Sequence, residues 1–269
     1  MPAKAIVSFF DILGYEKLVN KMISDDKFVR YFDDLMYDIT VNLMETWRNS
    51  KLSPIVDKLI DAAYFKKIFD TVKVRCIYDN IIFSLPLSDI TFSSQEFDKN
   101  TTVSHHIEAY FYSMAMFSTL FISKGNHLLR GGISIGPHYE VERKNYLFIF
   151  SEAHNRAVCL EKDYTKLPRI LLDDGLLEYL KKISYPNIDK FFYKGDDGRY
   201  CFDIYSSLSI FDEQKIIRVL TEIRSAANYH IGRNSEDKDI LSKWIYFAKY
   251  HNRKINTAGL SYPKLAIDI

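Results

Sequence analysis

The chain has 269 residues, 47% of them hydrophobic and 26% charged, so it has enough apolar material for a full core. A formal net charge of +1 excludes a binder that relies on bulk attraction to nucleic acid. Three scattered cysteines, Cys76, Cys159 and Cys201, form neither a disulfide framework nor a metal pattern, which suits a reducing cytoplasm. No apolar run reaches the roughly 18 residues of a membrane span, and no signal-peptide pattern opens the chain.

Ala5 to Phe10 is a buried-type strand that runs into Asp11 and then into Gly14, which lets the chain turn. From Tyr15 to Trp47 the pattern is helical. Phe28, Tyr31, Phe32, Leu35, Met36, Ile39 and Leu43 form one stripe, with Ser24 expected as the N-cap. A second helix is expected from Ser53 to about Phe69. Val72 to Leu87 reads as a hairpin turning at Tyr78-Asp79-Asn80. Asp79 is therefore a good turn residue. It is also the second of two acids, with Asp11, placed at the end of an apolar strand. That is what a hard divalent cation requires.

Asp89 to Thr102 reads as a surface loop and Ser104 to Ser123 as a strongly apolar helix. The adjacent His105 and His106 cannot share one helix face and do not suggest a metal site. Leu128 to Gly136 is a strand in which Arg130 must find a partner, either a carboxylate or a bound anion. Tyr146 to Phe150 is a strand, and Ser151 caps a helix running to Lys162. Then come a short strand (Arg169 to Leu172), a helix (Asp174 to Ile183) and a second hairpin (Phe191 to Tyr205) turning at Asp197-Gly198. Two amphipathic helices, Asp212 to Tyr229 and Glu236 to Lys254, close the chain. Cys76 and Cys201 are expected as small core residues. This order predicts an α+β fold, a mainly antiparallel sheet covered by helices, in a single domain over 1–269 with a core to about 210 and a helical extension over 211–269.

Four segments in register resemble class III nucleotidyl cyclases. They are Phe10-Asp11-Ile12-Leu13-Gly14-Tyr15, Ile77-Tyr78-Asp79-Asn80, Arg130-Gly131-Gly132-Ile133 and Glu152-Ala153-His154-Asn155-Arg156-Ala157. More closely, the set resembles the bacterial pyrimidine cyclases of the Pycsar antiphage systems. Lys243-Trp244 through Tyr250-His251-Asn252 is similar to their C-terminal helix. The resemblance implies a ferredoxin-like core. It also implies two divalent ions, Mn²⁺ or Mg²⁺, held by Asp11, Asp79 and the Ile12 carbonyl.

It further implies that Arg130 and Lys194 bind the triphosphate, that Asn155 orients the ribose, and that Arg75 and Phe148 face the base. Arg75 is a pure donor and uracil offers two carbonyl acceptors, so the substrate leans to UTP over CTP. Arg75 paired with a nearby carboxylate is the alternative. One protomer would supply Asp11, Asp79 and Arg130, and its partner Arg75, Phe148, Asn155 and Lys194, in a homodimer. The product, cyclic UMP, would act on a separate effector protein, with neither nucleic acid nor membrane involved. Cys159 stands where many class III enzymes carry an Arg, and Tyr-Asp-Asn replaces their Ser-Asp-Ser turn. A cyclase for CTP or a purine triphosphate, or a homologue that binds nucleotide without turnover, are the other readings.

Overall fold

The computed structural model describes residues 2–42, 67–88, 90, 98–144, 146–234, 236–256 and 262–269. Its strands are β1 (Ala3–Ile12), β2 (Lys73–Ile77), β3 (Asn80–Pro86), β4 (Leu129–Arg143), β5 (Tyr146–Ser151), β6 (Ile170–Leu172), β7 (Phe192–Lys194) and β8 (Tyr200–Phe202). They form one sheet in the order β2-β3-β1-β4-β6-β8-β7, with β5 paired to β4. Only β4 and β6 pair in parallel among the described strands. The β2-β3-β1-β4 half has the strand order of a ferredoxin-like split βαβ, as expected. The fold is α+β with a mainly antiparallel sheet, and no helix among the described residues is long and apolar enough to cross a membrane.

Side chains alternate across the sheet and sort into two layers. Ile6, Phe10, Ile12, Ile81, Phe83 and Ile133 face the large core, built on the long helix α3 (Lys99–Gly125). That helix is apolar on nearly every side because it lies between the sheet and the closing helices. These are α6 (Glu213–Arg233) and α7 (Lys238–Ile255), which put Leu220, Ile223, Trp244 and Phe247 into the same cluster. Ala5, Val7, Phe9 and Ile82 face the other way, against Ala153 and Ala157 of α4 (Glu152–Tyr164). Two short helices, α1 (Tyr15–Ser24) and α2 (Asp26–Tyr37), follow β1, and α5 (Asp174–Lys182) follows β6.

Several boundaries differ from the sequence reading. Asp25, not Ser24, caps α2, because α1 runs through Ser24 and the carboxylate reaches the Lys27 and Phe28 N–H groups. Helix α3 starts at Lys99 rather than Ser104. Asp98 caps it through the Asn100 and Thr101 N–H groups, so the end of the expected surface loop is helical. The expected helix from Ser53 to Phe69 lies mostly outside the described residues, which show helix from 67 onwards. Cys201 is buried but Cys76 is exposed, because β2 is the edge of the sheet.

Strand β4 is longer than the expected Leu128 to Gly136. Beyond Pro137 it forms, with β5, an arm that folds back over the α4 side of the sheet. Ser84 lies in the row of Val7 and Ser134, yet it donates to Glu140 at 3.1 Å. A straight strand would carry Glu140 about 20 Å beyond Ser134.

Candidate active site

The register sets Asp11 opposite Asn80 on one side and Arg130 on the other. The Ile12 N–H donates to the Asp79 carbonyl at 3.3 Å, which pins the β2–β3 turn to the end of β1. The turn is Tyr78-Asp79, with Tyr78 in the left-handed region (φ 57°) and Asn80 already in β3. The Asp11 and Asp79 carboxylates thereby come within hydrogen-bonding reach of each other. Burial is the main reason that the Asp11 pKa is raised. Arg130 opposes the rise, and the neighbouring Asp79 adds to it.

Arg130 finds carboxylates on both sides. Its Nε donates to Asp11 Oδ2 at 2.6 Å, and a terminal nitrogen donates to the Thr165 carbonyl at 3.4 Å. Glu161 Oε1 lies 2.7 Å from the same Nε, an ionic contact in which that buried oxygen has no aligned hydrogen bond. The two glycines after Arg130 let β4 close on both neighbours, Gly131 on β1 and Gly132 on α4, and the second contact explains how α4 brings Glu161 there. A Cβ on Gly131 would sit 2.1 Å from the Phe9 carbonyl oxygen, and one on Gly132 would sit 2.4 Å from that of Ala157. Strand and helix backbones therefore touch, and Glu161, one turn beyond Ala157, is delivered to Arg130.

Burial raises the Glu161 pKa, Arg130 opposes it, and Asp11 and Asp79 push it further up. Sequence reasoning assigned Glu161 no role. The available signal was an acid six residues after Asn155, straight after the apolar Leu160.

Two carboxylates, Asp11 and Glu161, thus hold one guanidinium, and Asp79 lies beside Asp11. No set of three or more His, Cys, Asp or Glu side chains among the described residues is arranged to hold a metal ion. The Asp11–Asp79 pair nonetheless fits a hard cation. Its carboxylates crowd each other, Arg130 is shared with Glu161, and the buried Glu161 Oε1 has no hydrogen bond.

The other expected site residues do not join Asp11 within one chain. Asn155 is exposed on α4. Six residues separate it from Glu161, so it lies about 9 Å along the helix and about 240° around it. Ser151 caps this helix through the His154 N–H at 2.9 Å, as expected. Arg156 is paired with Glu152, and Cys159 is exposed on the Asn155 face. Lys194 is exposed at the end of β7, four strands from β1, or about 19 Å across the sheet.

Arg75 takes the alternative left open for it. It lies 2.8 Å from Glu140 and 2.9 Å from Glu142, both on the arm. Burial works against ionised Glu140, but the His138 hydrogen bond and the Arg75 charge overcome it and hold its pKa at about 2. Phe148 lies on the outer face of the arm with Tyr139, Tyr146 and Phe150, and these rings are 37–62% exposed. The Tyr146 and Phe148 rings are stacked.

No protein-family model matches the chain, and no curated protein matches it. Among solved structures, it is similar to a bacterial light-regulated adenylyl cyclase at 12% identity and a TM-score of 0.40. That match covers 81% of this chain and 98% of that one. It is also similar to the adenylyl cyclase CyaB from P. aeruginosa (14% identity, TM-score 0.39, 76% and 95% covered). A third is the dimeric guanylyl cyclase domain of the RhoGC fusion protein from the aquatic fungus Blastocladiella emersonii (15% identity, TM-score 0.40, 74% and 96% covered). At such identity and TM-score the likeness carries no chemistry.

Proposed function

We propose that the chain is a metal-dependent nucleotide cyclase that converts a nucleoside triphosphate to its 3′,5′-cyclic monophosphate and pyrophosphate. The observation that carries this reading is the Asp11–Asp79 carboxylate pair, with Arg130 held between Asp11 and Glu161 beside it. Asp11 and Asp79, with the Ile12 carbonyl, would hold Mn²⁺ or Mg²⁺. The bound ions would lower the pKa of the ribose 3′-hydroxyl and balance charge on the departing pyrophosphate. Arg130 supplies fixed positive charge at the same place, and Glu161 keeps its guanidinium from closing fully onto Asp11.

The reading requires a homodimer. Asn155, Phe148 and Lys194 lie on outer surfaces and could meet Asp11 only across an interface with a second copy. A two-fold arrangement gives two equivalent sites. The aromatic face of the arm, Tyr139, Tyr146, Phe148 and Phe150, is the surface we assign to the partner.

UTP is the proposed substrate on the sequence resemblance, with CTP next. An antiphage role through a separate effector is proposed on the same ground. Arg75 supports the base choice only if it leaves Glu140 and Glu142. The second reading, a cyclase-like protein that binds nucleotide without turnover, draws on that engagement of Arg75 and on Cys159.

The test is incubation with Mn²⁺ and each ribonucleoside triphosphate in turn, followed by mass spectrometry of the products. Cyclic UMP supports the whole reading. Another cyclic nucleotide keeps the chemistry and removes the base assignment. Absence of any cyclic product, or turnover that survives Asp11→Ala, overturns the mechanism.

A further inference from the structure

Across the sheet from the carboxylate pair is a cleft of ≈ 1220 Å³. It lies between α1 and α2 on one side and α6 and α7 on the other, with the α3–β4 connection as its floor. Asp11 faces α4, whereas Leu13, Leu18, Phe28 and Leu128 of this cleft pack in the opposite layer, so the two sites do not share a face.

Lys21, His127, His230 and Arg233 all line this cleft. The charge of Lys21 and the ring of His230 both act on His127, and Arg233 acts on His230. Burial, His230 and Lys21 bring the His127 pKa down to about 4, so its imidazole is neutral, and it has no hydrogen bond to another described residue. Neither Lys21 nor Arg233 has a carboxylate within ion-pair distance among the described residues. Lys21 lies instead over the Phe28 ring at 4.0 Å, and Arg233 donates to the Tyr229 hydroxyl at the edge of that ring. The acids of the cleft are engaged elsewhere. Asp237 pairs with Lys17, Asp239 with Lys243 and Glu222 with Arg218, and among the described lining residues only the acid Glu16 is outside such a pair.

Two cations without a carboxylate partner and two imidazoles lining one cleft make a place for an anion. The walls around them are aromatic. His230 is stacked on Trp244 at 4.5 Å, and the Tyr229 ring is 53% exposed. A flat ring could lie against Tyr229 while its acid group meets Lys21 and Arg233. Ligand pockets of about 300–1,000 Å³ take molecules of nucleotide size, and this cleft is large enough.

We propose that the cleft is a second ligand site, for a phosphate-bearing aromatic molecule of the nucleoside monophosphate class. Lys21 and Arg233 take the phosphate, and the aromatic wall takes the base. Its floor is wired to the carboxylate pair, because the Leu13 N–H donates to the Leu128 carbonyl at 3.0 Å. Leu13 lies two residues after Asp11, and Leu128 two before Arg130. Binding there therefore alters the affinity for Mn²⁺, and Mn²⁺ alters binding by the same factor. The ligand assignment holds whether or not the chain turns over a triphosphate.

The test is calorimetry on the full chain in EDTA with UMP, AMP, inorganic phosphate and uridine. At least one monophosphate binds, more tightly than either inorganic phosphate or uridine. Lys21→Ala combined with Arg233→Ala weakens it tenfold or more with an unchanged melting temperature, and Arg233→Lys restores part of the loss. Asp11→Ala leaves binding as it was. A Mn²⁺ titration with saturating UMP or AMP then gives a shifted midpoint. The proposal is overturned if neither monophosphate binds, if phosphate alone binds as well, if Asp11→Ala abolishes binding, or if the double variant binds like the parent. An unmoved Mn²⁺ midpoint overturns the coupling. Failure to make a cyclic product bears only on the cyclase reading, since none of these measurements needs turnover.

Discussion

Gly132→Ala tests how α4 places Glu161. The new Cβ would sit 2.4 Å from the Ala157 carbonyl oxygen and 2.8 Å from Leu160 Cβ. A relaxed C···O contact is about 3.3–3.6 Å, so α4 must move off β4 by about 1 Å. Backbone on backbone leaves no flexible side chain to absorb the change. Overpacking of this kind costs about 1–3 kcal/mol, which lowers the melting temperature by about 2–4 °C per kcal/mol in a chain of this size.

Glu161 rides on the same helix, so its 2.7 Å contact with Arg130 opens and Arg130 is left to Asp11. Turnover is expected to fall by about 10²-fold, the order of loss that a 1 Å misplacement produces. Gly136→Ala is the control, because its Cβ would meet Ala153 N at 3.3 Å, which a slight shift relieves. Thermal melts, a Mn²⁺ titration and product formation are measured on both variants. A Gly132→Ala protein that melts within 1 °C of the parent and binds Mn²⁺ equally well would refute the close contact and the delivery of Glu161 by it.

Asp11 and Glu161 both have raised pKa values, so the folded state keeps their protons to higher pH than the unfolded chain does. Their destabilising effect is absent below about pH 4 and complete above their folded pKa values. The metal-free melting temperature should therefore fall with rising pH across that window, and stabilisation by Mn²⁺ should grow across it, as differential scanning fluorimetry will show. Glu161→Ala removes the carboxylate that shares Arg130 and should weaken Mn²⁺ binding several-fold in a titration, because Arg130 then competes undivided for Asp11. Arg75→Ala leaves the buried Glu140 without its strongest charge partner and should cost about 2–4 kcal/mol in a denaturant melt. The same variant should lose amide protection in β5, measured by hydrogen exchange. Because the Glu140 pKa is lowered, its contribution is present above about pH 4 and is lost as pH falls towards 2, so the cost of Arg75→Ala should shrink in acid.

Local pattern determined much of this protein. Period-two and period-three-to-four spacing placed the strands and helices. It also set Asp11 and Asp79 at strand ends and Ser151 as a cap, because alternation and capping depend on neighbours a few residues apart. Arg130 inside an apolar strand announced that it needed a counter-charge. Which group answered was a matter of tertiary structure alone, since Asp11 and Glu161 reach it through the β1–β4 register and through backbone contact at Gly132. The same holds for Arg75, whose partners Glu140 and Glu142 arrive only because β4 bends past Pro137 and carries the arm over the sheet. It holds equally for Lys194, set four strands from β1 by the sheet order. Such pairings join residues tens of positions apart, and nothing in their immediate neighbours encodes the crossing that brings them together.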